Sequence, residues 1–328
     1  MRRRLGRSGI RVSGVGLGCW AIGGPFLFEG KPDGWGEVDD AESVRAIQRA
    51  VDLGVTFFDS ADVYGTGHSE RILGKALEGR RDRVVIATKF GHTYDEARRE
   101  IVGADTSPAY IRRACEASLR RLGTDAIDLY QLHLWSLPAS QAEDVFATLD
   151  GLRDAGLIRA YGWSTGDPRC AELLAAASAG TAVQHPLNVF SDAPEIIALG
   201  AEYDVASVCN TPLAMGLLTG KFDAGSKLPS DDVRGSGHEW VAYFEDGRPR
   251  QEFLDRLAAV REILRSDGRT LAQGALAWVM ARSPRTVPIP GFKTAKQAEE
   301  LAGAMRTGPL SGDQVREIEG LLAAREPA

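Results

Sequence analysis

The chain has 328 residues, 44% hydrophobic and 26% charged, with a formal net charge of −6; this is material for a large core, and it lacks the basic excess that nucleic-acid binding needs. No stretch is apolar for long enough to span a bilayer, and the glycine-broken run "VSGVGLGCWAIGGPFLF" behind the basic start has no cleavage site, which argues against an export signal. Four scattered cysteines (Cys19, Cys115, Cys170, Cys209) without a CxxC pair, and five histidines without HxH or HExxH spacing, speak against a disulfide framework or a metal site and fit a reduced cytoplasm.

An N-terminal stretch with hairpin character, "RRRLGRSGIRVSGVGLG", precedes a regular alternation of short strand-like runs and longer helical patterns. "GVGLGCW" leads to "DDAESVRAIQRAVDLG", "TFFDSA" to "HSERILGKALEG", "RVVIATKF" through a polar loop to "SPAYIRRACEASLRRLG", and "AIDLYQLHLW" to "AEDVFATLDGLRDAG". "IRAYGWST" then leads to "DPRCAELLAAAS", "TAVQHPLN" to "APEIIALGAEYD", "VASVCN" to a long loop and further helices, and "TVPIPG" to "KTAKQAEELAGAM". About eight strand–helix units make the arithmetic of a closed (β/α)8 TIM barrel, with "SGDQVREIEGLLAA" as a C-terminal helix. Ser107-Pro108 and Asp167-Pro168 set a capping side chain before a proline at the first helical position, and Gly54, Gly79, Gly123 and Gly156 stand where helices should stop. The strand runs are nearly all apolar, as parallel strands under helices should be. No composition break marks a linker, so residues 1–328 read as one barrel domain. The least regular segment, Met215 to Gln251, is too long for a plain connection, and loops of this length are usually functional or disordered.

"GLGCWA", Gly16 to Ala21, matches GxGxxA, but a dinucleotide fingerprint must open a helix at once and carry an acid about 20 residues on. Here Pro25, Gly30, Pro32 and Gly34 delay the helix to about Asp39, and Asp59 lies too far downstream. These glycines are better explained by a strand end that a ligand or another backbone approaches closely.

Barrel active sites lie at strand C-termini. The second strand ends in Asp59 with Tyr64 just beyond, the third in Thr88-Lys89 and the fourth in His133; the fifth ends in Ser164, the sixth carries Gln184 and Asn188, and the seventh ends at Asn210 and Thr211. Singly, such an aspartate is usually a cap and such a histidine a core residue. A lysine after "VVIAT", however, would be buried and must be paired. Together they suggest proton chemistry. An ammonium beside a tyrosine lowers its ordinary value of about 10, an aspartate holds that lysine, and a histidine across the site can donate to a substrate oxygen.

These segments resemble the aldo-keto reductase superfamily, over essentially the whole chain: "LGRSGIRVSGVGLG" its hairpin, "FFDSADVYG" its aspartate–tyrosine segment, "IATKF", "DLYQLH", "GWST" and "VQHPLN" its successive strand ends, "TPLAMGLLTGK" its pyrophosphate loop and "VPIPGFKTAKQAEEL" its adenosine segment. The resemblance implies a (β/α)8 barrel that binds a nicotinamide cofactor, NADPH ahead of NADH, without a Rossmann domain. It implies Tyr64 as general acid, tuned by Lys89 and Asp59, with His133 orienting the carbonyl. Ser164 and Gln184 would hold the nicotinamide carboxamide, and Thr211, Pro212, Leu213 and Lys221 would line the pyrophosphate path. Gly291, Lys293, Gln297 and Glu300 would take the adenosine phosphate end, and Gly18, Cys19 and Trp20 the nicotinamide side. The chain departs from the family pattern at Thr165, at Asn210-Thr211, where an aromatic–serine pair is usual, and at Leu301. Trp35 and Trp135 are candidates for the substrate pocket, with Phe26, Trp240 and Tyr243 near other loop positions.

The function so implied is reduction of a small-molecule aldehyde or ketone to an alcohol. The rival is a cofactor-binding regulatory or redox-sensing barrel with little turnover, against which the intact Asp59, Tyr64, Lys89 and His133 weigh. A metal-dependent barrel hydrolase would leave "TPLAMGLLTGK" and "IPGFKTAKQ" unexplained.

Overall fold

The computed structural model describes residues 1–324. A hairpin opens the chain: β1 (Arg2–Arg4) pairs antiparallel with β2 (Arg11–Ser13). After β3 (Leu17–Gly18) come two short strands, β4 (Leu27–Phe28) and β5 (Lys31–Pro32), and helix α1 (Asp40–Asp52), capped by the Asp39 carboxylate on the Glu42 N–H. β6 (Phe57–Asp59) leads to α2 (His68–Ala76); β7 (Val85–Phe90) leads through β8 (His92–Asp95) and β9 (Glu100–Ala104) to α3 (Pro108–Leu122). β10 (Leu129–Leu132) precedes α4 (Ala139–Asp154), β11 (Tyr161–Ser164) precedes α5 (Pro168–Ala176), and β12 (Gly180–Pro186) precedes α6 (Pro194–Tyr203). β13 (Ala206–Asn210) opens the long segment, which holds the hairpin β14 (Phe244–Glu245) and β15 (Arg248–Pro249) and ends in α7 (Gln251–Arg265) and α8 (Leu271–Arg282). β16 (Thr286–Pro288), α9 (Ala295–Thr307) and α10 (Gly312–Ala323) follow.

Strands β3, β6, β7, β10, β11, β12, β13 and β16 lie side by side in chain order, all parallel. The amides of Gly16 and Gly18 donate to the carbonyls of Pro288 and Pro290, each at 2.9 Å, and a parallel bridge joins Gly18 to Gly291, so the first strand meets the last. The expected (β/α)8 barrel with an N-terminal hairpin and a C-terminal helix is what forms. The anticipated caps are also in place: Ser107 Oγ accepts from the Tyr110 N–H and Asp167 Oδ1 from the Arg169 N–H.

Successive strand residues point to opposite faces. Phe57, Val85, Ala87, Leu129, Ala160, Ala182, Ala206, Val208, Val287 and Ile289 form one buried cluster inside the cylinder, and Leu5, Ile10 and Val12 of the hairpin region join it from below. Their neighbours Phe58, Ile86, Phe90, Tyr130, Leu132, Tyr161, Trp163, Val183 and Cys209 belong to the larger cluster packed with the helices.

Two features above the barrel are not foreseen from the sequence pattern. Strands β5, β4, β9 and β8 form a four-stranded sheet in that order, joining the connections that follow β3 and β7. Elements of two residues such as β4 and β5 are too short to reveal an alternation. The long segment is also a built structure that reaches the loop after β5. Trp35 bridges Asp232, the Val233 N–H donates to Gly34 O at 2.8 Å, Lys31 Nζ donates to Gly237 O, and His238 Nε2 donates to Pro32 O at 3.1 Å. Among the described residues, no helix is long and apolar enough to cross a membrane, and no group of three or more His, Cys, Asp and Glu side chains could hold a metal ion.

Candidate active site

The inward register decides which polar side chains meet. Phe57 points into the barrel, so Asp59 does too; Val85 and Ala87 bring Lys89 inward; Leu129 brings Gln131. Lys89, wholly buried, donates from Nζ to Asp59 Oδ2 at 2.6 Å, to Ser60 O at 2.7 Å and to Tyr64 Oη at 3.2 Å. All three ammonium protons thus have acceptors, which answers the requirement that a buried lysine be paired. The other carboxylate oxygen, Asp59 Oδ1, accepts from Gln131 Nε2 at 2.9 Å and from Gln184 Nε2 at 2.7 Å. The Gln184 amide also lies 3.3 Å from Gln131 Oε1.

Tyr64 lies beyond the end of β6, on a turn in which its N–H donates to Ala61 O. The backbone fixes it closely. Gly65, at φ +59°, is approached by Gly23 so tightly that a Cβ would stand 1.8 Å from the Gly23 carbonyl oxygen, and only glycine fits. Trp20 stacks on the Tyr64 ring at 6.0 Å, and the His133 ring meets it edge-on at 5.9 Å, with His92 5.5 Å behind His133. Asp59, Tyr64, Lys89 and His133 are therefore brought together.

Electrostatics at this cluster departs from one expectation. Burial pushes the Tyr64 phenol above its ordinary value; the Lys89 ammonium pulls down, Asp59 pushes up again, and burial wins. The hydroxyl accordingly keeps its proton. Burial pulls Lys89 down, but Asp59 and Tyr64 together carry it above the usual lysine range, so it stays charged. Burial, then Lys89 and His92, hold His133 well below 6.5, so its imidazole is neutral; its Nδ1 is buried without a hydrogen-bond partner among the described residues. Asp33, whose main-chain carbonyl accepts from Trp20 Nε1, is pushed up to about 8 by burial.

The other residues singled out from the sequence take varied positions. Gly18 pairs with Asp59 across β3 and β6, the Cys19 N–H donates to Asp59 O, and burial drives the Cys19 thiol far up, so it is inert. Ser164 pairs with Gln184 across β11 and β12, and Gly291 is bridged to Gly18. Pro212 and Leu213 are buried between Thr211, at φ +49°, and Ala214 and Met215, at +47° and +54°. Three side-chain-bearing residues in the left-handed region within five positions mark a strained loop of the kind found at ligand sites. Lys221 Nζ rests over the Phe222 ring at 4.9 Å, with Asp232 acting on it from beyond salt-bridge distance. Lys293 Nζ donates only to the carbonyls of Trp35, at 2.5 Å, and Glu37, at 3.2 Å. Gln297 Oε1 accepts from the Lys293 N–H at 2.7 Å. Lys221 is exposed and Lys293 half-buried; Asp232 acts on both through space, but among the described residues neither ammonium forms a salt bridge, which leaves a donor set suited to phosphate oxygens.

Trp35 meets Trp20 edge-on at 5.3 Å, and its other side receives the Arg234 guanidinium at 4.5 Å. Trp240 joins the group at 6.1 Å from Trp20. Trp135 does not join it; it stands 62% exposed, its ring against Gly166. The Glu300 side chain is exposed on α9, while its carbonyl accepts from Gln273 Nε2. Gln131 is the residue that motif reading overlooks. Its signal is there, since it sits two residues before His133 and two after the inward Leu129, on the face that carries the chemistry.

The aldo/keto reductase family matches residues 15–323. This chain belongs to that family. It is similar to the aldo-keto reductase yakc [NADP(+)] of Schizosaccharomyces pombe, 31% identical with 96% of this chain and 89% of the relative covered. It is also similar to aldo-keto reductase YhdN of Bacillus subtilis, 32% identical with 96% and 91% covered. Among solved structures, the glycerol dehydrogenase of Gluconobacter oxydans superposes with a TM-score of 0.84 at 28% identity, covering 100% of this chain and 96% of that one. Membership of the aldo/keto reductases makes the protein an oxidoreductase.

Proposed function

We propose that the protein reduces an aldehyde or ketone to an alcohol with NADPH, and that Tyr64 is the general acid. The observation that carries this reading is the buried Lys89 ammonium, 2.6 Å from Asp59 Oδ2 and 3.2 Å from Tyr64 Oη. NADPH, when bound, supplies the hydride that adds to the carbonyl carbon. The chain's own residues do the rest. Tyr64, held neutral by burial, donates its proton to the carbonyl oxygen, and the phenolate left behind is stabilised by Lys89. Lys89 is kept charged by Asp59, and neutral His133 offers an N–H to the carbonyl oxygen without repelling the ammonium. The water-poor setting strengthens each of these interactions.

The cofactor reading rests on the donor set. Lys221 and Lys293 would take phosphate oxygens, with Thr211, Pro212 and Leu213 along the pyrophosphate path. Gly291, Gln297 and Glu300 would lie at the adenosine end, and Gly18, Cys19, Trp20, Ser164 and Gln184 about the nicotinamide. NADPH is favoured over NADH because both lysines are available for an extra phosphate, and because the Schizosaccharomyces pombe relative carries NADP(+) in its name. Trp35 and Trp135 would face substrate. One barrel domain over residues 1–328, acting in the cytoplasm on a small carbonyl compound, completes the proposal, and four free, buried cysteines suit that compartment.

The test is Tyr64→Phe, assayed by NADPH consumption over a panel of aldehydes, ketones and sugars. Loss of a general acid should lower turnover by about 10²–10⁴-fold with cofactor binding retained. Near wild-type turnover in the variant would remove the acid from Tyr64.

A further inference from the structure

The pair of glutamines on Asp59 has no part in the proton chemistry described so far. Asp59 has two oxygens with separate duties: Oδ2 faces Lys89, and Oδ1 is held inside the barrel by two amide donors, Gln131 Nε2 at 2.9 Å and Gln184 Nε2 at 2.7 Å. Gln131 is wholly buried, and its own Oε1 accepts from Gln184 at 3.3 Å, so donors and acceptors run in one sense through both amides to the carboxylate. The barrel makes room for this. Gln131 is paired with Gly162 on the neighbouring strand, where a Cβ would stand 2.5 Å from Ala182 O and in ordinary contact, 3.4 Å, with the Gln131 Cγ, so the glycine serves the close approach of the strands beside Gln131.

We propose that Gln131 is a positioning residue for the reduction: it fixes the rotation of Asp59 and moderates the carboxylate's field at Lys89 and Tyr64. This rests on the reading of Tyr64 as general acid. A carboxylate with one oxygen hydrogen-bonded by two amides presents less negative potential to its surroundings than one with that oxygen bare. Asp59 raises the proton affinity of Tyr64, and Lys89 lowers it. Removing the Gln131 donor strengthens the first influence and loosens the alignment that delivers the second. Both changes drive Tyr64 in the same direction, toward holding its proton more tightly. The other charged or titratable groups about that ring are Asp33 from the loop after β5 and His133 at the end of β10, and the substitution touches neither.

The experiment uses Gln131→Met, which keeps length and bulk and deletes both donors. The first readout needs neither cofactor nor substrate: the phenolate absorbance of Tyr64, taken as the difference between proteins with and without Tyr64→Phe, is titrated in wild type and in the Gln131→Met background. The midpoint should move up by about half a pH unit or more. The second readout is steady-state reduction, where kcat should fall about tenfold while KM for the carbonyl compound stays within about twofold. If Gln131→Met does not fold, Gln131→Asn, whose amide falls one methylene short of Asp59, carries the same expectations. An unmoved Tyr64 midpoint overturns the proposal even if kcat drops, because a merely structural role would lower activity without changing the ionisation. Should the midpoint move while wild type reduces no carbonyl compound at all, the hold of Gln131 on the Asp59 field at Tyr64 stands, but the reductase reading fails and the role in reduction with it.

Discussion

The lower and upper halves of the barrel interior obey the same geometry and hold opposite chemistry. Below, inward positions are filled by Phe57, Val85, Ala87, Leu129, Ala160, Ala182 and Ala206 and sealed by Leu5, Ile10 and Val12 of the hairpin region. One step up the same strands, the inward positions are Asp59, Lys89, Gln131 and Gln184, a buried ion pair with two amides around it. The lower layer gains stability from apolar burial. The upper layer gives some of that up, since a buried pair often contributes less than apolar residues of the same size. The difference sets the two layers apart without any motif: where inward residues turn polar and paired, cohesion is given up, and that layer is where the proposed reduction would take place.

The sharpest way to break the comparison is to make the upper layer resemble the lower. Asp59→Leu combined with Lys89→Met should fold and be more stable than Lys89→Met alone, while reduction falls by about 10²–10⁴-fold. Lys89→Met alone should lose similar activity but also destabilise by about 3–5 kcal/mol, because the Asp59 carboxylate is then buried without a counter-charge. Denaturant unfolding of both variants checks the sign, and a double variant less stable than Lys89→Met would refute the contrast. The converse change is Leu129→Ala in the lower layer. It should cost about 2–5 kcal/mol by the same measurement, with kcat near wild type.

A smaller effect is expected at the rim. Lys293→Ala should raise KM for NADPH about tenfold and leave KM for NADH nearly unchanged, as read from steady-state kinetics with each cofactor. The smallest concerns pH. His133 is held well below 6.5 by burial and by Lys89 and His92, and His185 is brought down to about 4 by burial. Both are neutral in the fold and more basic when unfolded, so they contribute stability above about pH 6.5 that fades as pH drops toward 4. The melting temperature should decline over that window, whereas kcat for reduction should show no inflection near 6.5.

Much of this was legible in the sequence. The eight strand–helix units, the caps at Ser107 and Asp167, and the gathering of Asp59, Tyr64, Lys89 and His133 all follow from apolar runs, punctuation and position at strand ends. The reasons for the rest are specific. Gln131 is not legible because a glutamine inside "DLYQLH" has no chemistry of its own; its meaning comes from Asp59, 72 positions away in sequence. Burial is a sum over the whole fold, so a sequence shows the lysine near Tyr64 but not the desolvation that outweighs it. The aromatic group of Trp20, Trp35 and Trp240 arises from segments about 200 residues apart. The four-stranded sheet above the barrel is made partly of strands too brief to leave a pattern.

The contact between the two roofing segments has a consequence for how such a site diversifies. Trp35 and Asp232 are bridged, and Val233 is bound to Gly34, through main-chain atoms. Every residue but proline carries the same amide and carbonyl, so that seam survives substitution of the side chains around it. The rings and charges around the seam can therefore be recast by substitution while the main-chain contact between the two segments is kept.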